Sequence, residues 1–178
     1  MYVGQHGAFF ASDPAQHAAI VLVPDDPSAF VGVSLFHGPY DYVATLGAQP
    51  SGYDGSGLID PFGTLLGEAN YPGDAVNLLH DLTLVATPAG MTDTQFITTL
   101  LAEFGAYGNA LPYEPFPSGG NGTYNSNGFV SGLLIGAGAT PPILPGYQPG
   151  YNNPIPNPLS KSTGQQTSLS NPIGQQCQ

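Results

Sequence analysis

Basic side chains are almost missing from this sequence. A single Lys+Arg residue, Lys161, stands against 12 Asp+Glu, which leaves a formal net charge of −11. A chain so poor in cations cannot clamp phosphates with its side chains or release counterions along a nucleic acid, and it is repelled by anionic bilayers. Nucleic-acid binding and stable membrane insertion are therefore not expected, whereas a partner with a basic face would be attracted. Cysteine is nearly absent as well. With Cys177 alone, there is no intrachain disulfide and no cysteine-built zinc or iron–sulfur centre. Long apolar runs are missing, and the start, Met1-Tyr2-Val3-Gly4-Gln5-His6-Gly7, lacks the basic and apolar regions of a signal peptide. Charged residues of either sign make up only 7%, so solubility rests on Asn, Gln, Ser, Thr and exposed backbone.

What is present suffices for a core: 41% of residues are hydrophobic, with 10 Tyr and 9 Phe. The short β-branched run Ala18–Val23, stopped by Pro24-Asp25-Asp26-Pro27, predicts a buried strand and a turn. Further strands are predicted over 30–36, 40–46 and 78–86, giving an antiparallel meander, while 51–76 carries Gly, Pro, Asp and Asn too densely for long elements. Thr92 with Gln95 forms a capping box opening a helix whose apolar face holds Phe96, Ile97, Leu100, Leu101, Phe104 and Tyr107. A second helix starts near Asn125, carries Phe129, Val130, Leu133 and Leu134, and ends at Gly136 to Gly138. The expected class is α+β: a β meander packed against a few helices. Residues 1–140 form one catalytic-type domain, 141–158 an extended segment laid over it, and 159–178 a flexible polar tail.

Ser126 falls in the first turn of the second helix, where unpaired N–H groups and the positive end of the helix dipole favour an alkoxide or oxyanion. Ordinarily a serine there is a cap. Elsewhere the bland readings prevail. His37 and His80 lie in or beside apolar strands as structural histidines, Asp25 and Asp26 are turn residues, and no EF-hand or His-Glu-x-x-His spacing marks a metal site. No cofactor is called for.

The company of Ser126 gives it meaning. Asn125-Ser126 with Phe129 three residues on, preceded by His17 at the start of a strand, resembles the nucleophile helix and upstream histidine of the circularly permuted papain-like fold. That group includes the NlpC/P60-like and lecithin:retinol acyltransferase-like families, with serine here in place of their cysteine. More specifically, His17, Thr45-Leu46-Gly47-Ala48-Gln49-Pro50, Thr87-Pro88-Ala89-Gly90-Met91-Thr92-Asp93 and Tyr124-Asn125-Ser126-Asn127 look like C-terminal toxin domains of bacterial polymorphic proteins. The similarity spans about residues 15–142. It implies a secreted or delivered toxin-type hydrolase that cleaves an amide or peptide bond, with Ser126 as nucleophile and His17 as base. A lipid acyl hydrolase or a catalytically dead binding module are the alternatives. Serine needs a base in contact more than cysteine does. The third, orienting residue is sought among Ser34, His37, Thr45 and Gln49, with Asn125 beside the nucleophile as a further orienting or oxyanion residue. The resemblance also implies a cognate immunity protein, for which the net charge of −11 predicts a basic face; the domain itself is expected to be a monomer.

Overall fold

The computed structural model describes residues 1–7, 15–37, 43–52, 63–77 and 81–163. They form a mixed α+β fold around one antiparallel sheet of six strands. In chain order these are β1 (Tyr2–Gly7), β2 (Gln16–Leu22), β3 (Ala44–Pro50), β4 (Thr64–Ala69), β5 (Leu82–Leu84) and β6 (Leu111–Pro112). Their spatial order is β5-β1-β2-β3-β4-β6. The centre is thus a meander, as expected, but its strands differ from the expected ones. β2 matches the predicted run. The run at 30–36 is no strand: two 3-10 turns, Pro27–Phe30 and Ser34–His37, occupy this region. Asp26 accepts from Ser28 N at 3.0 Å and Pro27 presets the first turn, while the three-residue spacing of Phe30, Val33 and Phe36 suits a 3-10 path. Phe30 and Phe36 meet at 4.9 Å between ring centres. The third strand lies at 44–50 rather than 40–46, of which 40–42 is outside the described residues. It continues through Gly47-Ala48-Gln49-Pro50 because β4, unexpected in the loop-like 51–76 stretch, pairs with that half from Leu46–Ala69 to Pro50–Leu65. β5 falls inside the predicted 78–86 strand, of which 78–80 lie outside the described residues.

Four helices accompany the sheet among the described residues: α1 (Pro72–Asn77), α2 (Asp93–Ala106), α3 (Ser126–Gly136) and α4 (Pro158–Thr163). Local chemistry starts the two long ones. Thr92 and Gln95 exchange both capping-box bonds, at 2.8 and 3.2 Å. Asn125 caps α3 by accepting from Gly128 N at 3.1 Å. On β2, alternate residues Ala18, Ile20 and Leu22 turn to the main core with Phe96, Ile97 and Leu100 of α2 and Phe129, Val130, Leu133 and Leu134 of α3, all fully buried. The intervening Ala19 and Val21 belong to a small second cluster, and His17 shares their side by the period-two rule. The chain after α3 lies across that helix. Ile155 N donates to Gly128 O at 3.0 Å, and Gly128 and Gly132, one turn apart, clear the path: a Cβ on Gly132 would stand 2.3 Å from Ile155 Cγ1.

Candidate active site

The pairing of β2 with β3 runs from Leu22–Ala44 to Ile20–Leu46. Over Gln16–Ala18 the place beside β2 is taken by a side chain. Asn127, 2% exposed, accepts from Ala18 N at 2.9 Å and donates to Gln16 O at 2.9 Å. One amide side chain thereby copies the bonds of a neighbouring strand and fixes the backbone on both sides of His17 to the start of α3. Its Nδ2 also donates to Pro149 O at 3.0 Å. Where the strands part, a pocket opens, lined by Gln16 and His17 of β2, Ala48 to Pro50 of β3, and the cap Asn125 with Ser126 and Asn127 of α3, with Tyr113, Pro115, Phe116 and Pro149 as an aromatic and proline wall. His17 and Ser126, 109 residues apart in sequence, thus share one cavity.

Behind His17 lies a carboxylate that the sequence reading passed over. Asp74 of α1, its side chain 3% exposed, places Oδ1 3.3 Å from His17 Nε2 and 3.5 Å from His6 Nε2. His6 is the direct cross-strand partner of His17 on β1, and the rings lie 4.8 Å apart between centres. Gly47 makes room: a Cβ there would come within 2.7 Å of Asp74 Oδ2. Burial alone would raise the Asp74 carboxyl, but hydrogen bonding and charge attraction from His17 and His6 prevail and hold it at about 2. Burial likewise opposes the charged form of His6. Asp74 and the Gly7 carbonyl outweigh it, so the His6 pKa is raised. Glu68, also in the pocket wall, is raised by burial and by the charge of Asp74, against the hydrogen bond from Gln49.

The remaining sequence candidates separate. Gln49 lines the pocket and donates to Glu68. Asn125 is buried beneath it, with its oxygen on Gly128 N and its amide hydrogens on Pro115 O at 2.9 Å and Pro149 O at 2.8 Å, which makes it cap and strut rather than a free side-chain donor. Thr45 is buried on β3 with no hydrogen-bond partner for its hydroxyl, and it is not part of the pocket wall. Ser34 is exposed on the second 3-10 turn, which His37 ends; His80 lies outside the described residues. Asp25 and Asp26 are turn residues, as expected. Asp74 and His6 escaped notice because each acts across the chain. A faint signal existed for Asp74: Pro72 followed two residues later by an acid is a helix-start pattern.

Among the described residues no helix is long and apolar enough to cross a membrane. Compared with protein-family models, curated proteins and solved structures, the chain finds no match in any of the three.

Proposed function

We propose that this protein is a hydrolase of the permuted papain-like type, acting as a delivered bacterial toxin domain, and that it cleaves an acyl bond through Ser126, His17 and Asp74. Asp74 faces His17 Nε2 at 3.3 Å, which orients the ring and leaves Nδ1 to take the Ser126 proton as Oγ attacks the carbonyl carbon. The negative oxygen of the tetrahedral intermediate is met by the first-turn N–H groups of Ser126 and Asn127 and by the dipole of α3. His17 passes its proton to the departing amine or alcohol, leaving an acyl-serine. Water, activated by the same nitrogen, then releases the acid and restores Ser126. The observation carrying this reading is that His17 and Ser126 line one pocket while Asn127 ties the backbone around His17 to the helix Ser126 begins.

An amide or peptide bond is the proposed target, in line with the NlpC/P60-like resemblance. A lipid ester is the second reading, favoured by the wall of Tyr113, Pro115, Phe116 and Pro149, of which Phe116 is 44% exposed. The net charge of −11 supports an immunity partner with a basic face covering this pocket, whose association slows as salt shortens the reach of the field to about 8 Å. Expression of Ser126→Ala beside the parent in bacteria tests the enzyme reading. Lost toxicity with an unchanged melting temperature is expected; undiminished toxicity would refute it and favour a binding module.

A further inference from the structure

The two histidines and the aspartate carry chemistry beyond orienting a base. Gly7 O can only accept, so the 3.0 Å contact of His6 Nδ1 with it places the ring proton on Nδ1 and, in the neutral ring, turns the Nε2 lone pair toward Asp74. A lone pair facing a carboxylate oxygen is repulsive until a proton or a metal ion stands between them. Both atoms are buried, and beyond the long contacts of 3.3 and 3.5 Å made through Asp74 Oδ1 neither His6 Nε2 nor Asp74 Oδ1 has a further hydrogen-bond partner, an uncommon condition in a native interior. The spacings are informative. Charge-assisted hydrogen bonds close to about 2.7–2.9 Å, whereas nitrogen and oxygen ligands about 2.0–2.1 Å from a tetrahedral ion stand roughly 3.3 Å apart. The observed 3.3 and 3.5 Å of the two nitrogen–oxygen pairs match the second figure, and the three ligand atoms lie within 4.8 Å of one another, so the two imidazoles draw together when they share an ion.

We propose that His6 Nε2, His17 Nε2 and the Asp74 carboxylate form a binding site for a divalent transition-metal ion, with zinc the best fit. Two imidazoles and one carboxylate suit a borderline ion. Gly7 O supplies the outer partner that orients a ligating imidazole. Three protein ligands would leave a fourth position for water or an inhibitor. The ion site does not depend on the hydrolase reading, but its consequence does: a coordinated His17 keeps its proton on Nδ1 and cannot accept one from Ser126, so the ion acts as a brake.

The full chain, stripped with chelator, is titrated with Co2+ followed by its visible absorption and with Zn2+ followed by calorimetry. One equivalent is expected to bind, with the intense bands of a four-coordinate cobalt site. His6→Ala and Asp74→Ala should weaken binding by more than the roughly 10–100-fold that loss of an outer partner costs, and Ser126→Ala should leave it unchanged. His6→Gln, close in size, guards against a folding defect, and zinc should raise the melting temperature of the parent and not of that variant. Absence of saturable uptake at one equivalent, or equal affinity in parent and His6→Gln, would overturn the proposal.

Discussion

Replacing Asn127 by alanine should loosen the whole site. The side chain makes three hydrogen bonds, to Ala18 N, Gln16 O and Pro149 O. Pro149 O keeps a second donor in Asn125, so truncation strands Ala18 N–H and takes a donor from Gln16 C=O. A buried group left unmet costs about 1–3 kcal/mol and a lost hydrogen bond about 0.5–1.5 kcal/mol, and water entering from the adjoining pocket recovers part of it, for a net loss of about 1–4 kcal/mol. At about 2–4 °C per kcal/mol for a chain of this size, the melting temperature followed by circular dichroism should fall by roughly 2–16 °C. Asn127→Asp sharpens the reasoning. It keeps the acceptor for Ala18 N but sets a carboxylate oxygen against two carbonyls, so the folded state favours its protonated form and raises its pKa. Stability should then decline as pH rises through the carboxylate range and recover on acidification. An Asn127→Ala melting temperature within about 2 °C of the parent, or an Asn127→Asp variant indifferent to pH, would refute the strand-mimic account.

Other outcomes are open to measurement. Gly132→Ala should destabilise by about 1–3 kcal/mol, because its Cβ would stand 2.3 Å from Ile155 Cγ1 and 2.8 Å from Ile155 N and O. Gly105→Ala on the open face of α2, with nothing within 4 Å, should instead stabilise by about 0.4–1 kcal/mol, and two thermal melts compare the signs. Burial pushes Tyr113 up to about 12 and raises Tyr107 and Tyr151 as well. The unfolded chain releases these protons near pH 10 while the folded one retains them, so denaturant midpoints should fall as pH rises from about 10 toward 12; a flat profile would contradict the burial of these rings. Zinc should protect Ser126 from an acylating or phosphonylating probe, with chelator restoring the reaction.

Features written into neighbouring residues were legible before any coordinates. Thr92 with Gln95 marks a helix start through bonds spanning three residues, and Asn125, Phe129 and Leu133 repeat at the helical period; both helices lie where these signals put them. The pairing of His17 with Ser126 in one pocket came from a resemblance rather than from physics. Strand 30–36 failed because three-residue spacing of Phe30, Val33 and Phe36 among β-branched neighbours resembles a strand until the Asp26 cap and Pro27 are weighed. β1 and β4 escaped because Gly4, Gly7 and Gly67 dilute their alternation, and only pairing with β2 and β3 makes them strands. Asp74 stood in Tyr71-Pro72-Gly73-Asp74 as an apparent turn residue. Its meaning depends on Gly47, 27 residues upstream, leaving space for a carboxylate beside His17 and His6, and no local pattern encodes that.

The central claim is that Ser126 is a nucleophile activated by His17. The most direct measurement is to treat the metal-free chain with a fluorophosphonate probe, which reacts with activated serines and not with ordinary ones, and to map the adduct by mass spectrometry. One adduct on Ser126 is predicted, lost in His17→Ala and slowed in Asp74→Asn. An unlabelled Ser126 in the parent, or labelling that persists unchanged in His17→Ala, would contradict the account.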